Sequence, residues 1–198
     1  MVRKPNTEDA VSSAPMADKN LMIDIETLDT SITSAIIAIG AVTFDPRGAI
    51  YDDETFLLTV SKKSNLAHGR TVSDSTVAWW DAQDQDAQDA VFRGPHTPLN
   101  LALAEFVRWV NRQVPTCTRI WAKSPDFDCS IMINACTEQN IYWPFKFWES
   151  RCVRTIMDLA YPEGDFPHIA LEGPKHDALV DAKVQALQVQ HSYFVLGC

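Results

Sequence analysis

Apolar residues in the first third of the chain fall into three short runs, at residues 21–28, 35–44 and 55–60. Each run has the length and the β-branched composition of a strand. The middle run is apolar at nearly every position, as expected for a strand that is buried on both faces. The turn sequence Asp45-Pro46-Arg47-Gly48 follows it. Short connections of this kind predict an antiparallel meander.

From residue 73 onward the apolar period becomes helical. Ser73 is a candidate N-cap for a helix that includes the pair Trp79-Trp80, because a serine hydroxyl can accept a hydrogen bond from the first turn. A polar helix is predicted over residues 84–92. A clearly amphipathic helix is predicted over residues 99–110, ending near Pro115, and we expect it to cover one face of the sheet.

The second half of the chain alternates short strands with helices. Residues 119–122 have the pattern of a fourth strand, which leads into a helix that extends through Cys136. A fifth strand is expected within the aromatic and basic segment 142–154, and a short helix over residues 155–160. The last helix is predicted at about residues 177–194. A meander followed by this alternation predicts an α/β fold with a mixed sheet.

The composition places these elements in one domain. A chain of 198 residues with 46% hydrophobic content can bury one substantial core but is short for two. Residues 1–20 are polar and lack periodicity, so we expect a flexible N-terminal segment followed by a single domain over residues 21–198. No apolar run approaches the roughly 20 residues that span a bilayer. We therefore expect a cytoplasmic protein without a membrane partner.

A formal net charge of −9 excludes one class of nucleic-acid-binding protein. Proteins that coat nucleic acid by bulk electrostatics use clustered Lys and Arg, whereas Asp and Glu are in excess here. The charge does not exclude an enzyme whose acidic side chains hold cations. The five cysteines are scattered without a CxxC pair, so we expect reduced, mostly buried thiols and neither a disulfide framework nor a zinc site.

Two carboxylates interrupt the first predicted strand, at Asp24 and Glu26. Alternate residues on a strand share a face, so the two negative charges lie side by side and repel each other. A divalent cation between them would remove that repulsion. The alternative is a solvent-facing edge strand, with Met22, Ile23 and Ile25 turned inward. The strand alone does not decide between these interpretations.

Further candidate residues lie near the starts of two later helices. Phe127-Asp128 stands where the fourth strand leads into a helix, with Asp126 as a competing carboxylate. His176 precedes Asp181 by five residues at the start of the last helix. Residues five apart on a continuous helix differ by about 140° in direction, so these two side chains would not share a face. We therefore place His176 in a flexible segment before the helix.

Taken in order, these residues resemble the DEDD superfamily of 3′-to-5′ exonucleases, in its histidine-containing branch. The resemblance covers about residues 21–190. It implies a ribonuclease H-like α/β fold, in which an antiparallel meander and parallel strands form a mixed five-stranded sheet flanked by helices. The site residues that it implies are Asp24, Glu26, Asp128, His176 and Asp181.

The likeness is greatest to phage-type exonucleases and related exoribonuclease-like proteins. Three segments carry it: residues 24–28 (Asp-Ile-Glu-Thr-Leu), 76–80 (Thr-Val-Ala-Trp-Trp) and 154–159 (Arg-Thr-x-x-Asp-Leu). It implies a location in the cytoplasm of a bacterial or phage-infected cell. Some relatives dimerise, so a homodimer is compatible with the likeness.

The resemblance also implies a role for each residue around two divalent ions, Mg²⁺ or Mn²⁺. Asp24 would bridge both ions. Glu26 and Asp181 would bind the ion that carries the attacking water, and Asp128 would hold the other. His176 would be the general base, because an imidazole titrates near neutral pH. Four carboxylates without thiolates suit these hard ions better than zinc.

Substrate contacts are implied too, and each has a plainer alternative. Thr27 would lie near the 3′ hydroxyl of the terminal nucleotide, and Leu28 would be an apolar wedge against its base. Both could instead pack at the strand end. One member of the pair Trp79-Trp80, with Trp80 as the candidate, would stack on a base unless both rings belong to the core.

Phe127 and Arg154 complete the predicted substrate contacts. Arg154 would contact a phosphate, although an arginine at a helix start could equally form a surface ion pair. The segment Lys123-Ser124-Pro125 departs from the Asn-containing loop common among the relatives, which leaves substrate contacts at that loop open.

The predicted activity is hydrolysis of single-stranded nucleic acid from its 3′ end, with release of 5′ mononucleotides. Two other classes stay open: a catalytically silent nucleic-acid-binding module on the same fold, and a metal-dependent phosphatase. The lack of a Gly-rich phosphate cradle in the sequence argues against the phosphatase. The sequence does not separate DNA from RNA, because a few loop contacts would recognise the 2′ hydroxyl.

Overall fold

The structure, a computed structural model, describes residues 18–113 and 119–198. Most of the expected flexible segment, up to position 17, lies outside these residues, and so does the expected helix end near Pro115. Within the described ranges, five strands and seven helices form an α/β arrangement.

Five strands form one mixed sheet. They are β1 (Asn20–Thr27), β2 (Ile36–Phe44), β3 (Ile50–Thr59), β4 (Ile120–Ala122) and β5 (Ser150–Cys152). Their order across the sheet is β3-β2-β1-β4-β5. The first three pair antiparallel, whereas β4 is parallel to β1 and β5 is parallel to β4. The predicted sheet, a meander extended by parallel strands, is confirmed.

The helices flank this sheet. They are α1 (Lys62–Ala67), α2 (Asp74–Asp81), α3 (Gln85–Phe92), α4 (Leu99–Gln113), α5 (Asp128–Glu138), α6 (Val153–Ala160) and α7 (Ala178–Leu196). Ser73 caps α2 as predicted, since its hydroxyl accepts a hydrogen bond of 3.2 Å from the backbone nitrogen of Thr76. Among the described residues, no helix combines the length and the apolar character that crossing a membrane requires.

Alternation along β1 sorts its side chains onto two faces. The apolar residues at positions 21, 23 and 25 belong to a core cluster with residues of α4 and α5. Met22 points to the opposite face and packs with residues of α6 and α7. Asp24 and Glu26 continue the face of Met22, so they point toward α7. Because β1 pairs on both edges, the edge-strand alternative for these carboxylates is wrong.

Two local features differ from the sequence pattern. β3 begins at Ile50, earlier than the apolar run indicates, because its backbone pairs with β2 although Asp52 and Asp53 are exposed. The pattern does not predict α1 at all. This helix is polar and is fixed by the buried side chain of Asn65, whose Nδ2 donates to the backbone oxygen of Ile36 at 2.8 Å. Hydrogen bonding rather than apolar periodicity places both elements.

The described cysteines are free thiols. Cys129 and Cys136 are buried, Cys152 is half-buried and Cys198 is exposed. Burial raises the pKa of the Cys136 thiol to about 12, so this thiol stays protonated at neutral pH.

Candidate active site

Asp24 lies in the C-terminal half of β1, where α7 crosses the sheet. Its Oδ1 accepts a hydrogen bond of 2.6 Å from Nε2 of Gln185 on α7. Gln185 is only 6% exposed, and the amide brings a donor to the carboxylate without adding a charge. This hydrogen bond stabilises the ionised form of Asp24 and fixes the position of its carboxylate.

Gly40 allows the N-terminus of α7 to lie directly on the sheet. It stands opposite Asp24 in the register of β1 and β2. A Cβ atom at this position would lie 2.1 Å from the carbonyl carbon of Ala178 and 2.4 Å from the backbone nitrogen of Leu179. Only glycine permits this approach, which brings Asp181 in the first turn of α7 into the same cleft as Asp24.

Asp128 reaches β1 from α5. It is the first residue of that helix and is 4% exposed. Its Oδ1 accepts a hydrogen bond of 3.1 Å from the backbone nitrogen of Ile25. The positive end of the helix dipole favours a carboxylate at this position. The competing residue, Asp126, is exposed and lines the same cleft.

His176 lies in the turn before α7, which begins at Ala178. The structure thus places it outside the helix, as the spacing to Asp181 required. Its φ of +59° is in the left-handed region, which non-glycine residues adopt rarely. The imidazole packs edge-to-face against Trp79 and Trp80, with ring centroids 4.8 Å and 5.9 Å away. These contacts restrict the orientation of the ring.

All five residues that the motif implies line one cleft of about 570 Å³: Asp24, Glu26, Asp128, His176 and Asp181. Within it, potential ligand atoms of Glu26, His176 and Asp181 lie within 4.8 Å of one another. Such spacing suits groups that share one cation. Two basic residues, Lys123 and Arg154, line the same cleft.

The protein neutralises the acidic groups of the cleft only in part. Burial raises the pKa of Asp24 well above its ordinary value, and the charges of Asp128 and Asp181 raise it further. Burial likewise raises the pKa of Glu26, with the charge of Asp24 as the next cause. The charge of Lys123 opposes the increase for Asp24 only in part, so a bound cation would supply the positive charge that these two carboxylates still need.

The pKa values of Asp128 and Asp181 are raised as well, but neighbouring groups partly oppose the increase. Burial raises the pKa of Asp128 to about 7, although the backbone N–H of Ile25 and the charge of Arg154 oppose the increase. Burial also raises the pKa of Asp181, and the electrostatic interaction with His176 partly offsets this increase. A cluster of carboxylates with raised pKa values is a functional-site signature.

A second cavity of about 410 Å³ adjoins the cleft. The two share Ile25, Glu26 and Phe127 in their linings. Thr27, Trp79 and Trp80 line only the second cavity. Trp79 is 44% exposed, so its ring is accessible to a bound molecule. The cavity offers polar groups of the strand end on one side and an aromatic face on the other.

Leu28 and Trp80 are buried, in contrast to the exposed Trp79. Leu28 is 2% exposed, lines neither cavity and packs in the core cluster that includes Trp80. Its side chain therefore has no surface to offer a base in this conformation. Trp80 is also 2% exposed, and its indole Nε1 donates to the backbone oxygen of Thr27 at 2.9 Å. Its indole thus supports the end of β1 from beneath.

Gly40 and Gln185 belong to the site but are missing from the predicted set. The signal for Gly40 is a glycine inside an otherwise apolar strand, which often marks a close backbone approach. The signal for Gln185 is a long polar side chain on the helix face that also carries Ala182, Ala186 and Val189. Neither signal names the partner residue, so sequence reasoning could not assign either role.

A mixed sheet with two carboxylates on its central strand, and a histidine ahead of the last helix, is the arrangement that the resemblance to ribonuclease H-like exonucleases implies. The chain belongs to the family described as the 3′-5′ exoribonuclease Rv2179c-like domain, which matches residues 19–193. The sequence-based assignment to the 3′-to-5′ exonucleases is thereby confirmed.

Known relatives support this assignment. An exodeoxyribonuclease of Enterobacteria phage T4 is 24% identical over 203 residues, covering 87% of this chain and 88% of the phage protein. The nuclease domain of 3′hExo, a DEDDh family member solved with bound rAMP, is similar with a TM-score of 0.58 and 17% identity, covering 93% of this chain and 95% of that domain.

A third similar protein is Escherichia coli exonuclease I, solved in complex with a 5cy-dA13 oligonucleotide. Its TM-score is 0.63 at 14% identity, over 89% of this chain and 40% of exonuclease I. The chain thus spans about two fifths of that larger enzyme. These structures confirm the predicted ribonuclease H-like fold.

Proposed function

We propose that this protein is a metal-dependent 3′-to-5′ exonuclease that removes 5′ mononucleotides from single-stranded nucleic acid. The observation that carries the proposal is the convergence of Asp24, Glu26, Asp128, His176 and Asp181 on one cleft. The family match supports the direction of hydrolysis. The family description refers to RNA and the name of the phage relative to DNA, so both are candidate substrates.

The donor set of the cleft fits two Mg²⁺ or Mn²⁺ ions. Carboxylate oxygens are the ligands that these hard cations prefer, and nearby positive charge compensates the carboxylates here only in part. Asp24 would hold both ions, Glu26 and Asp181 would hold one, and Asp128 would hold the other. When bound, such a pair of ions activates a water and stabilises the departing oxygen of a phosphodiester.

His176 is the general base of the proposal. It shares its surroundings with Glu26 and Asp181, so it can take a proton from a water that these carboxylates hold in place. Its packing against Trp79 fixes the ring. Because Trp79 also lines the second cavity, a nucleotide bound there would contact the same ring that orients the base.

The second cavity is the proposed site of the terminal nucleotide. Thr27 offers a hydroxyl for the 3′ end, and the exposed ring of Trp79 and the side chain of Phe127 offer apolar surface to the base. Lys123 and Arg154 lie in the neighbouring cleft, where a phosphate next to the metal ions would need positive charge. We propose Trp79, rather than Trp80 or Leu28, as the aromatic contact because its ring is accessible.

Mg²⁺-dependent shortening of end-labelled strands tests the proposal. With 5′-labelled DNA and RNA single strands, we expect stepwise loss from the 3′ end. Asp24→Asn should abolish hydrolysis while far-UV circular dichroism stays unchanged. Asp53→Asn, an exposed acid on β3, is the matched control and should keep full activity. Activity retained by Asp24→Asn, or shortening from the 5′ end, would contradict the proposal.

The same experiment separates the silent alternative from the enzyme. A catalytically silent binding module would retain the labelled strand in a gel-shift assay and release no mononucleotide at any Mg²⁺ or Mn²⁺ concentration.

His176→Ala should lower turnover far more than substrate affinity. Equal turnover of wild type and His176→Ala would remove the histidine from the mechanism without removing the metal site.

A further inference from the structure

An aromatic and basic surface lies outside both cavities, in the 3₁₀ turn before β5 and in β5 itself. Lys146, Phe147, Trp148 and Arg151 form it, and we call it the 146–151 surface. Phe147 is 86% exposed and Trp148 is 56% exposed. Large exposed rings that adjoin one another are uncommon on a surface without a binding role.

The side chains of this surface are held in place by one another. The rings of Phe147 and Trp148 meet edge-to-face with centroids 4.8 Å apart. The Nζ of Lys146 lies 5.1 Å from the centroid of the Trp148 ring, within cation–π range. Arg151 donates from its guanidinium to the backbone oxygen of Trp148 at 2.8 Å. The rings and cations are thus arranged before any partner binds.

The charge of the surface is opposite to that of the protein. The whole chain has a net charge of −9, whereas segment 142–154 has three basic residues and one acidic residue. The acidic one, Glu149, accepts a hydrogen bond of 2.7 Å from the backbone nitrogen of Lys146. Within the ranges 18–113 and 119–198, neither Lys146 nor Arg151 forms an ion pair with a carboxylate. Both cations are available to an anionic partner.

The 146–151 surface lies at the start of β5, and the cleft lies beyond the end of the strand. Arg154, which lines the cleft, follows β5 by two residues. Ser150 pairs with Ile120, which pairs with Leu21, three residues before Asp24. From about 3.3 Å per residue along a strand and about 4.8 Å between strands, Trp148 is roughly 15–20 Å from Asp24.

We propose that the 146–151 surface binds the single-stranded substrate upstream of the nucleotide being removed, an inference that rests on the proposed function. Exposed rings stack on bases and adjacent Lys and Arg contact phosphates, which is how proteins bind single strands without sequence preference. A purely apolar partner would leave Lys146 and Arg151 without a role. At about 3.4 Å per stacked nucleotide, the distance to Asp24 corresponds to about five nucleotides.

Affinity as a function of strand length tests the proposal. An Asp24→Asn background separates binding from hydrolysis. Fluorescence anisotropy would measure the binding of two fluorescein-labelled strands, one of about three nucleotides and one of about 12. Reaching the surface requires about five nucleotides, so only the longer strand can do so. Trp148→Ala should weaken binding of the long strand about tenfold. The reason is that loss of one stacked base costs about 1–3 kcal/mol, which corresponds to a decrease in affinity of about fivefold or more. It should change binding of the short strand less than twofold. Phe194→Ala, an 83% exposed aromatic on α7, is the control and should change neither.

Salt dependence supplies a second measurement. Replacing Lys146 and Arg151 by Gln should lower the slope of log affinity against log salt for the long strand by about 0.7 for each phosphate that the protein no longer neutralises. Equal reductions in affinity on long and short strands, or no reduction at all, would overturn the proposal. A Trp148→Ala protein that ceases to self-associate in light scattering, with strand affinity intact, would overturn it by showing an interface between copies.

These outcomes are separate from those of the proposed function. If binding of the long strand depends on Trp148 but the wild-type protein hydrolyses neither DNA nor RNA, the surface proposal is supported and the nuclease proposal is rejected. Hydrolysis by the wild type together with unchanged affinity in the variants would reject the surface alone.

Discussion

Asp128 is a buried carboxyl whose negative charge opposes folding as long as no cation is bound. Folding raises its pKa to about 7 from an ordinary value of 3.8. The folded protein therefore binds this proton more tightly than the unfolded chain does. The free energy of unfolding consequently rises as the pH falls through 7, and this contribution is lost again as the pH rises above it.

We expect the Asp128 carboxyl to add on the order of 1 kcal/mol to the free energy of unfolding of the metal-free protein between about pH 8 and about pH 6. Asp128→Asn should remove this part of the pH dependence, because asparagine keeps an acceptor for the N–H of Ile25 and has no charge. Urea titrations in EDTA at both pH values measure it. Asp53→Asn should behave as wild type. Identical pH dependence in wild type and Asp128→Asn would contradict the raised pKa.

The position of α7 depends on the space above Gly40. Both His176 and Asp181 belong to the segment that this contact positions, whereas Asp24 and Glu26 belong to the sheet beneath. A displacement of the helix by about one ångström would therefore separate the two halves of the cleft. Small misplacements of this kind can lower catalytic rates about 100-fold.

Gly40→Ala should consequently destabilise the protein and inactivate it. The added Cβ would lie 2.3 Å from the backbone oxygen of Ala178, and backbone cannot move aside as a flexible side chain can. We expect a decrease of about 2–3 kcal/mol in the free energy of unfolding and of at least about tenfold in activity. Gly48→Ala is the matched control, because its Cβ would meet only the side chain of Asp45. Equal stability of the two variants would show that α7 is not held by this contact.

Arg70 connects three segments of the molecule. It is 2% exposed and donates from Nε to the backbone oxygen of Ser34 at 2.7 Å, and from a terminal nitrogen to that of Ile32 at 3.1 Å. Its other terminal nitrogen lies 2.8 Å from a carboxylate oxygen of Glu138 on α5. The loop after β1 is thereby tied to the segment before α2 and to α5.

Arg70→Met should lower the free energy of unfolding by about 3 kcal/mol, because it removes the donor to the buried carbonyl of Ser34 and breaks a partly buried ion pair. Arg93→Met is the control, since its side chain is 74% exposed and pairs with Asp89 one helical turn away. That pair should contribute about 0.5 kcal/mol or less. Thermal unfolding of the two variants provides the comparison. Similar decreases in the free energy of unfolding would show that Arg70 does not have this structural role.

Most of the sheet and the motif residues could be predicted from the sequence, for a physical reason. Strands and amphipathic helices leave a period in the apolar residues, and the motif residues stand in the order that the family resemblance implies. Contacts between distant residues leave no such trace. Gln185 is 161 positions from Asp24, and nothing local to either one predicts their hydrogen bond. Leu28 illustrates the same limit, because an apolar residue at a strand end can be a wedge or part of the core.

The order of the elements along the chain has a consequence for biosynthesis. Asp24 and Glu26 leave the ribosome early, whereas His176 and Asp181 come with α7, the last helix of the fold. A nascent chain therefore has three of the four motif carboxylates, but neither Asp181 nor His176, until α7 has been synthesised.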